Sequence, residues 1–230
     1  MDFFNSLIKD TNNLLTNYSC KAFEYNSNNA WEDLGYNQVV LQRDTAFELD
    51  GVGFNLVTSS PIADEILVVG DDCADISQKR RFTRVSIIEI DAVDDEQKAY
   101  NLIRKIEYVK YHYFPDGYMI RTTSSSHKEN VRVSKVAVKN GINFQKIGNL
   151  LINKYKEIPS VKGVKVIFVT DPQLDLNSFT KIAEKNNEIT KALNHVMSTV
   201  NFDCDTCNLK AICDEVEGMR ELHFKNSMGM

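Results

Sequence analysis

The sequence predicts an α+β fold: a mixed sheet packed with amphipathic helices, followed by a C-terminal helix and a cysteine module. Two observations carry this. Short β-rich runs crowd together at "GVGFNLVTS" (51–59), "EILVVG" (65–70), "VSIIEI" (85–90) and "GYMIRTT" (117–123), with no long helix before residue 94. Strands clustered in this way favour α+β over regular strand–helix alternation. From residue 94 onward, long segments instead carry apolar residues at helical spacing.

Residues 2–18 place Phe3, Phe4, Leu7, Ile8, Leu14 and Leu15 on one face, which predicts a packing helix. The asparagine-rich "EYNSNNAWEDLGYNQ" that follows has neither period and reads as a connector, with Trp31 as a half-buried anchor. After the four β-rich runs begin, "DDEQKAYNLIRKIEYVKYHYF" opens with acids and sets Ala99, Leu102, Ile103, Ile106, Val109 and Tyr113 on one stripe, a helix. Its tyrosines (Tyr100, Tyr108, Tyr111, Tyr113) can line a ligand groove, but they more often complete a core and its rim. "PDG" signals a turn, and Ser134 is placed to cap a short helix that Gly141 ends. "NFQKIGNLLINKYKEI" repeats the helical pattern through Phe144, Ile147, Leu150, Leu151 and Tyr155 until Pro159. "GVKVIFVTDP" reads as a strand closed by Asp171-Pro172, and residues 178–200 as a helix with Ile182, Ile189, Leu193, Val196 and Val200 on one face. The expected division is an N-terminal helix and connector (1–43), an α+β domain (44–176), and a helix with a cysteine-rich module (177–230).

Composition narrows the function classes. With 43% hydrophobic and 26% charged residues and no apolar run near the ~20 needed to cross a bilayer, neither disorder nor membrane insertion fits. The start "MDFFNSLIKD" lacks a signal-peptide pattern, so a cytoplasmic protein is expected. Net charge is −5 and the basic residues are scattered apart from "QKRR" at 78–81, so no nucleic-acid partner is expected.

Chemistry concentrates in "FDCDTCNLKAICDEVEG" (202–218). A Cys-x2-Cys pair, Cys204 and Cys207, puts two sulfurs on one turn, and Cys213 can reach the same centre from the start of a following helix. Three thiolates suit an iron–sulfur cluster. The fourth ligand could be Cys73, which follows the strand "EILVVGDD", or Cys20, or one iron stays open to water or substrate. Zinc competes, because His223 or His195 could complete a tetrahedral set. A third reading takes the cysteines as small buried hydrophobes. Asp203, Asp205, Asp214 and Glu215 beside them would make a poor apolar core; next to a cluster they would lower its reduction potential. Elsewhere, "VTSSP" and "SSS" read as turns with no base for a nucleophile, "GDDCAD" as a loop that could also hold a hard cation, and His127 as an exposed residue.

The order of segments carries a resemblance: "AFEL", "EILVVGDD", "NLIRKIEYVKYHYFPDG", "RVSKVAVKNGINFQKIGNLLINKYKE", "VKVIFVTDP", a helix and Cys-x-x-Cys. Over roughly residues 45–213 the chain resembles the middle domain of the acetyl-CoA synthase subunit of the carbon monoxide dehydrogenase/acetyl-CoA synthase complex, running into the start of its cluster-binding domain. The most telling piece is "RVSKVAVKNG…F…IG". The resemblance implies a mixed α+β domain. It also matches Cys204, Cys207 and Cys213 to the first three ligands of a [4Fe–4S] cluster that in that family is joined to a pair of nickel ions. Here the third cysteine follows at closer spacing, and the Cys-Gly-Cys that holds the outer nickel in that family does not occur in the sequence. The resulting expectation is an accessory iron–sulfur protein without the dinickel site, passing electrons or docking a redox or corrinoid protein. The alternatives are an enzyme acting on a one-carbon or acyl-CoA substrate at an open cluster iron, and a zinc-stapled interaction module. Arg80 and Arg81 in "SQKRR" would then meet a phosphate of coenzyme A or an acidic partner.

Overall fold

A computed structural model describes residues 3–16, 18–91, 96–123, 127–173, 175–198 and 210–215. Its elements run α1 (Asn5–Leu15), β1 (Cys20–Glu24), β2 (Thr45–Thr58), β3 (Glu65–Val69), β4 (Arg80–Ile90), α2 (Glu96–Tyr108), β5 (Tyr118–Thr122), β6 (Lys128–Ser134), α3 (Lys135–Lys139), α4 (Phe144–Lys156), β7 (Val161–Val169), α5 (Leu176–Ser198) and α6 (Lys210–Glu215). The fold is α+β. Seven strands form one sheet in the order β1-β3-β7-β4-β2-β6-β5. The pairs β2/β4 and β3/β7 are parallel and the others antiparallel.

β2 is a single strand of 14 residues that takes in both "AFEL" and "GVGFNLVT", pairing with β6 along its first half and with β4 along its second. Residues 52–58 are buried on both faces, as are 82–88 of β4, so the centre of the sheet is covered from both sides. One cover is α4. Its Phe144 stacks on Phe168 of β7 at 4.7 Å between ring centroids, and on Phe82 of β4 at 6.2 Å. Close approach is possible because Gly148 faces Ile66 of β3, where an added Cβ would lie 2.5 Å from Ile66 Cγ1. The other cover is α5 with α1 against it, both touching β2. Polar ends fix the helices. Asn143 Oδ1 accepts from Lys146 N at the start of α4, and Ser134 Oγ accepts from Ala137 N at the start of α3, as the sequence predicts. Trp31 is half-buried and its Nε1 donates to the carbonyl of Asp116.

Two strands were hidden from pattern reading. β1 is a five-residue edge strand, CKAFE, with no fully buried residue; it joins the stretch before residue 44 to the common sheet through β3. β6 reads "KENVRVS", and its inward-facing residues are Glu129, Val131 and Val133. A glutamate on the buried side breaks the alternation that marks a strand.

Candidate functional site

The sheet face under α4 carries a buried charge centre. Arg84 (β4) and Glu129 (β6) flank β2 and meet across it, with Arg84 Nε 3.0 Å from Glu129 Oε1 and Nη2 2.9 Å from Oε2. Both side chains are at most 5% exposed. The crossing passes over Gly53, whose missing side chain leaves the space: a Cβ there would stand 1.9 Å from Glu129 Oε2. The remaining guanidinium nitrogen, Nη1, donates to Ser86 Oγ at 2.8 Å and Asn55 Oδ1 at 3.2 Å. Tyr155 of α4 donates its hydroxyl to Asn55 Oδ1 at 2.7 Å. Asn55 Nδ2 in turn donates to Glu107 Oε1, and Lys110 Nζ to Glu107 Oε2. Burial pulls the Arg84 pKa down, but the Glu129 carboxylate more than offsets it and the net shift is upward. Burial pushes the Tyr155 phenol up to about 12 despite the nearby guanidinium. Arg84 and Glu129 are therefore paired and hydrogen-bonded, and no activated nucleophile stands among them.

This network reaches the surface at a cleft between α2 and α5, where His127 lies. The structure corrects the expectation that His127 is exposed: it is 3% exposed, with φ +48. That left-handed step takes it out of the alternation of β6 and sets its Nε2 3.4 Å from Asn186 Nδ2 of α5. Burial, reinforced by Lys110, Arg84 and Lys191, pushes its pKa down to about 4, so the ring is neutral at pH 7. "SSSHKEN" contains no apolar neighbour to signal this burial; the covering residue comes from a helix 59 positions away.

The candidate ligands read from the sequence are placed as follows. Cys204 and Cys207 lie outside the described residues. Cys213 falls within α6, a short helix that touches α5 and buries Ile212. Cys73 is 0% exposed in the core, and burial together with Asp72 holds its thiol well above the usual range. Cys20 opens β1, half-buried, its Sγ 3.7 Å from the Tyr18 carbonyl and its pKa raised by burial. Among the described residues no three His, Cys, Asp or Glu side chains cluster as a metal set. The aspartates of "GDDCAD" have structural partners: Asp72 Oδ1 accepts from Phe144 N at the start of α4, and Asp71 pairs with Arg80 at 2.5 Å. Arg80 and Arg81 are neighbours on β4 and so project to opposite faces of the sheet, which keeps them from gripping one phosphate together. Lys79 beside them pairs with Asp50 at 2.9 Å.

Comparison with protein families settles where this sheet belongs. Residues 36–174, more than half of the chain, match the model of the CO dehydrogenase/acetyl-CoA synthase complex beta subunit. The chain belongs to that family. No curated protein sequence matches it. The beta-subunit match takes in β2 to β7 and α2 to α4, hence the whole Arg84–Glu129 centre, and stops short of α5 and of Cys204, Cys207 and Cys213. No helix among the described residues is long and apolar enough to cross a membrane.

Proposed function

We propose that the chain is an accessory iron–sulfur protein of a CO dehydrogenase/acetyl-CoA synthase system: a beta-subunit domain that docks a protein partner and carries a [4Fe–4S] cluster on Cys204, Cys207 and Cys213. The observation that supports it most is the family match, which ends one helix before the cysteines. The family is named for a subunit of a complex, so a surface for another protein is in keeping with it. The donor set adds weight, since a Cys-x2-Cys pair with a third thiolate close behind suits iron–sulfur ligation. The fourth iron position is left to Cys20, water or substrate, since the buried place of Cys73 in the core favours packing as the role of that thiol. The acids around the cysteines would hold the cluster at low potential, which favours donating electrons. The proposed role is electron transfer or docking, which needs no Cys-Gly-Cys, the motif that the resemblance assigns to the outer nickel.

Anaerobic purification with iron, zinc and nickel counts, visible absorption and electron paramagnetic resonance tests this. Four irons per chain, with a signal on reduction and loss of colour in Cys207→Ala, is the expected result. One zinc without colour would replace the cluster by a zinc-stapled module, and a metal-free chain after iron and sulfide reconstitution would overturn both.

A further inference from the structure

α5 lies beyond the family match, and it builds one wall of a cleft of about 420 Å3 whose other wall is α2 and the turn after it. That volume is within the range of small-molecule sites. Arg104, Lys110, His127 and Lys191 line it, together with the rings of Tyr108 and Tyr111. Among the described residues that line it, the only carboxylate is Glu107, already bound to Asn55 and Lys110. Three cations against one committed carboxylate is a local excess of positive charge in a chain of net −5.

His127 is the second, independent sign. It is 97% buried by its 3% exposure, sits at φ +48, and its Nδ1 has no hydrogen-bond partner. Its Nε2 lies 3.4 Å from Asn186 Nδ2, and Asn186 Oδ1 is likewise buried without a partner. The result is a buried ring nitrogen and a neighbouring amide oxygen without partners beside a left-handed backbone step, a combination that natural interiors rarely leave without use. Every charged side chain that lines the cleft, other than Glu107, is a cation. The complementary ligand is negatively charged. Tyr108 is 60% and Tyr111 38% exposed, with ring centroids 5.9 Å apart, and they give that ligand an aromatic wall.

We propose that the α2–α5 cleft binds an organic oxyanion, a carboxylate or phosphate carried on an aromatic or apolar body, with the anionic group facing His127, Lys110 and Lys191 and the body against Tyr108 and Tyr111. The site does not depend on the cysteine module.

The full-length chain, labelled on its histidine rings, is titrated with phenyl phosphate, benzoate and inorganic phosphate and followed by NMR, with Cys204, Cys207 and Cys213 left intact. A saturable shift of the His127 ring, assigned through His127→Gln, is expected with phenyl phosphate or benzoate, which thereby distinguish phosphate from carboxylate. Inorganic phosphate is expected to bind about tenfold more weakly for want of the aromatic contact. Lys191 is exposed, so Lys191→Glu should leave the melting temperature unchanged while weakening binding about tenfold. Tyr108→Ala should bring phenyl phosphate down to the affinity of inorganic phosphate. The proposal is overturned if none of the three anions moves the His127 ring, if Lys191→Glu binds as the parent does, or if inorganic phosphate binds as tightly as phenyl phosphate.

Discussion

Against α4 the sheet presents Arg84, Glu129, Asn55 and Ser86, all hydrogen-bonded within one network; against α5 it presents Phe54, Leu56, Val85, Ile87 and Ile167, with Thr83 among them and its hydroxyl unpartnered. Both faces are buried, so the difference is one of specification. An apolar face tolerates any arrangement of similar volume. The charged face does not, because Arg84 and Glu129 come from strands on either side of β2 and meet only when both are in register with Gly51 and Gly53. A slip of one residue in either strand would send one charge to the opposite face, unpaired. The α4 face therefore fixes how β4, β2 and β6 align, and the α5 face supplies apolar burial without that constraint.

The largest expected effect comes from breaking the pair on one side only. Glu129→Gln or Arg84→Met should each destabilise the chain by about 3–5 kcal/mol, since each strands a buried charge. The double variant Arg84→Met, Glu129→Leu should lose far less than the sum of the two, because it removes both charges and keeps the volume. Urea unfolding of the three variants measures this. Additive losses would mean that the two faces do not differ in the way described.

A second effect tests the point where the two faces communicate. His127 is held neutral by burial and by Lys110 after α2, Arg84 on β4 and Lys191 on α5, with Glu107 the opposing charge along the cleft. Its pKa is about 4 in the folded chain against the ordinary 6.5 when unfolded. The unfolded state therefore takes up a proton first as pH falls. The contribution of the neutral ring to stability is complete above pH 6.5 and is lost progressively down to about pH 4. The shift corresponds to about 3 kcal/mol. Unfolding free energies at pH 7, 5 and 4, compared between the parent and His127→Gln, isolate it: the two pH profiles should diverge by that amount across this window and run parallel outside it.

Most of the apolar architecture was legible. α2, α4 and α5 show apolar stripes at helical spacing, and β3, β4 and β7 are short apolar runs, since burial of these elements is nearly continuous. The charged face was not. Arg84 in "RFTRVSIIEI" and Glu129 in "HKENVRVS" look like ordinary outward residues, and their pairing depends on contacts 45 positions apart. His127 failed for the same reason: burial imposed by α5 leaves no local trace. The three C-terminal cysteines are close in sequence, within ten residues, and Cys204 and Cys207 lie outside the described residues.

The smallest effect, and the one with opposite sign, concerns the face toward α5. Thr83 is 0% exposed and its Oγ1 has no partner, in contrast to every polar group around Arg84. A buried hydroxyl without a hydrogen bond costs desolvation and returns nothing, whereas a methyl of the same shape keeps the packing and gains apolar burial. Thr83→Val should therefore leave stability unchanged or raise it by up to about 1 kcal/mol. The matched change on the other face, Ser86→Ala, removes the acceptor of Arg84 Nη1 and should cost about 1–3 kcal/mol. Two small hydroxyl deletions on the same strand, three residues apart and facing opposite sides, thus carry opposite signs, and equal losses in thermal unfolding would show that both faces depend on their polar atoms alike.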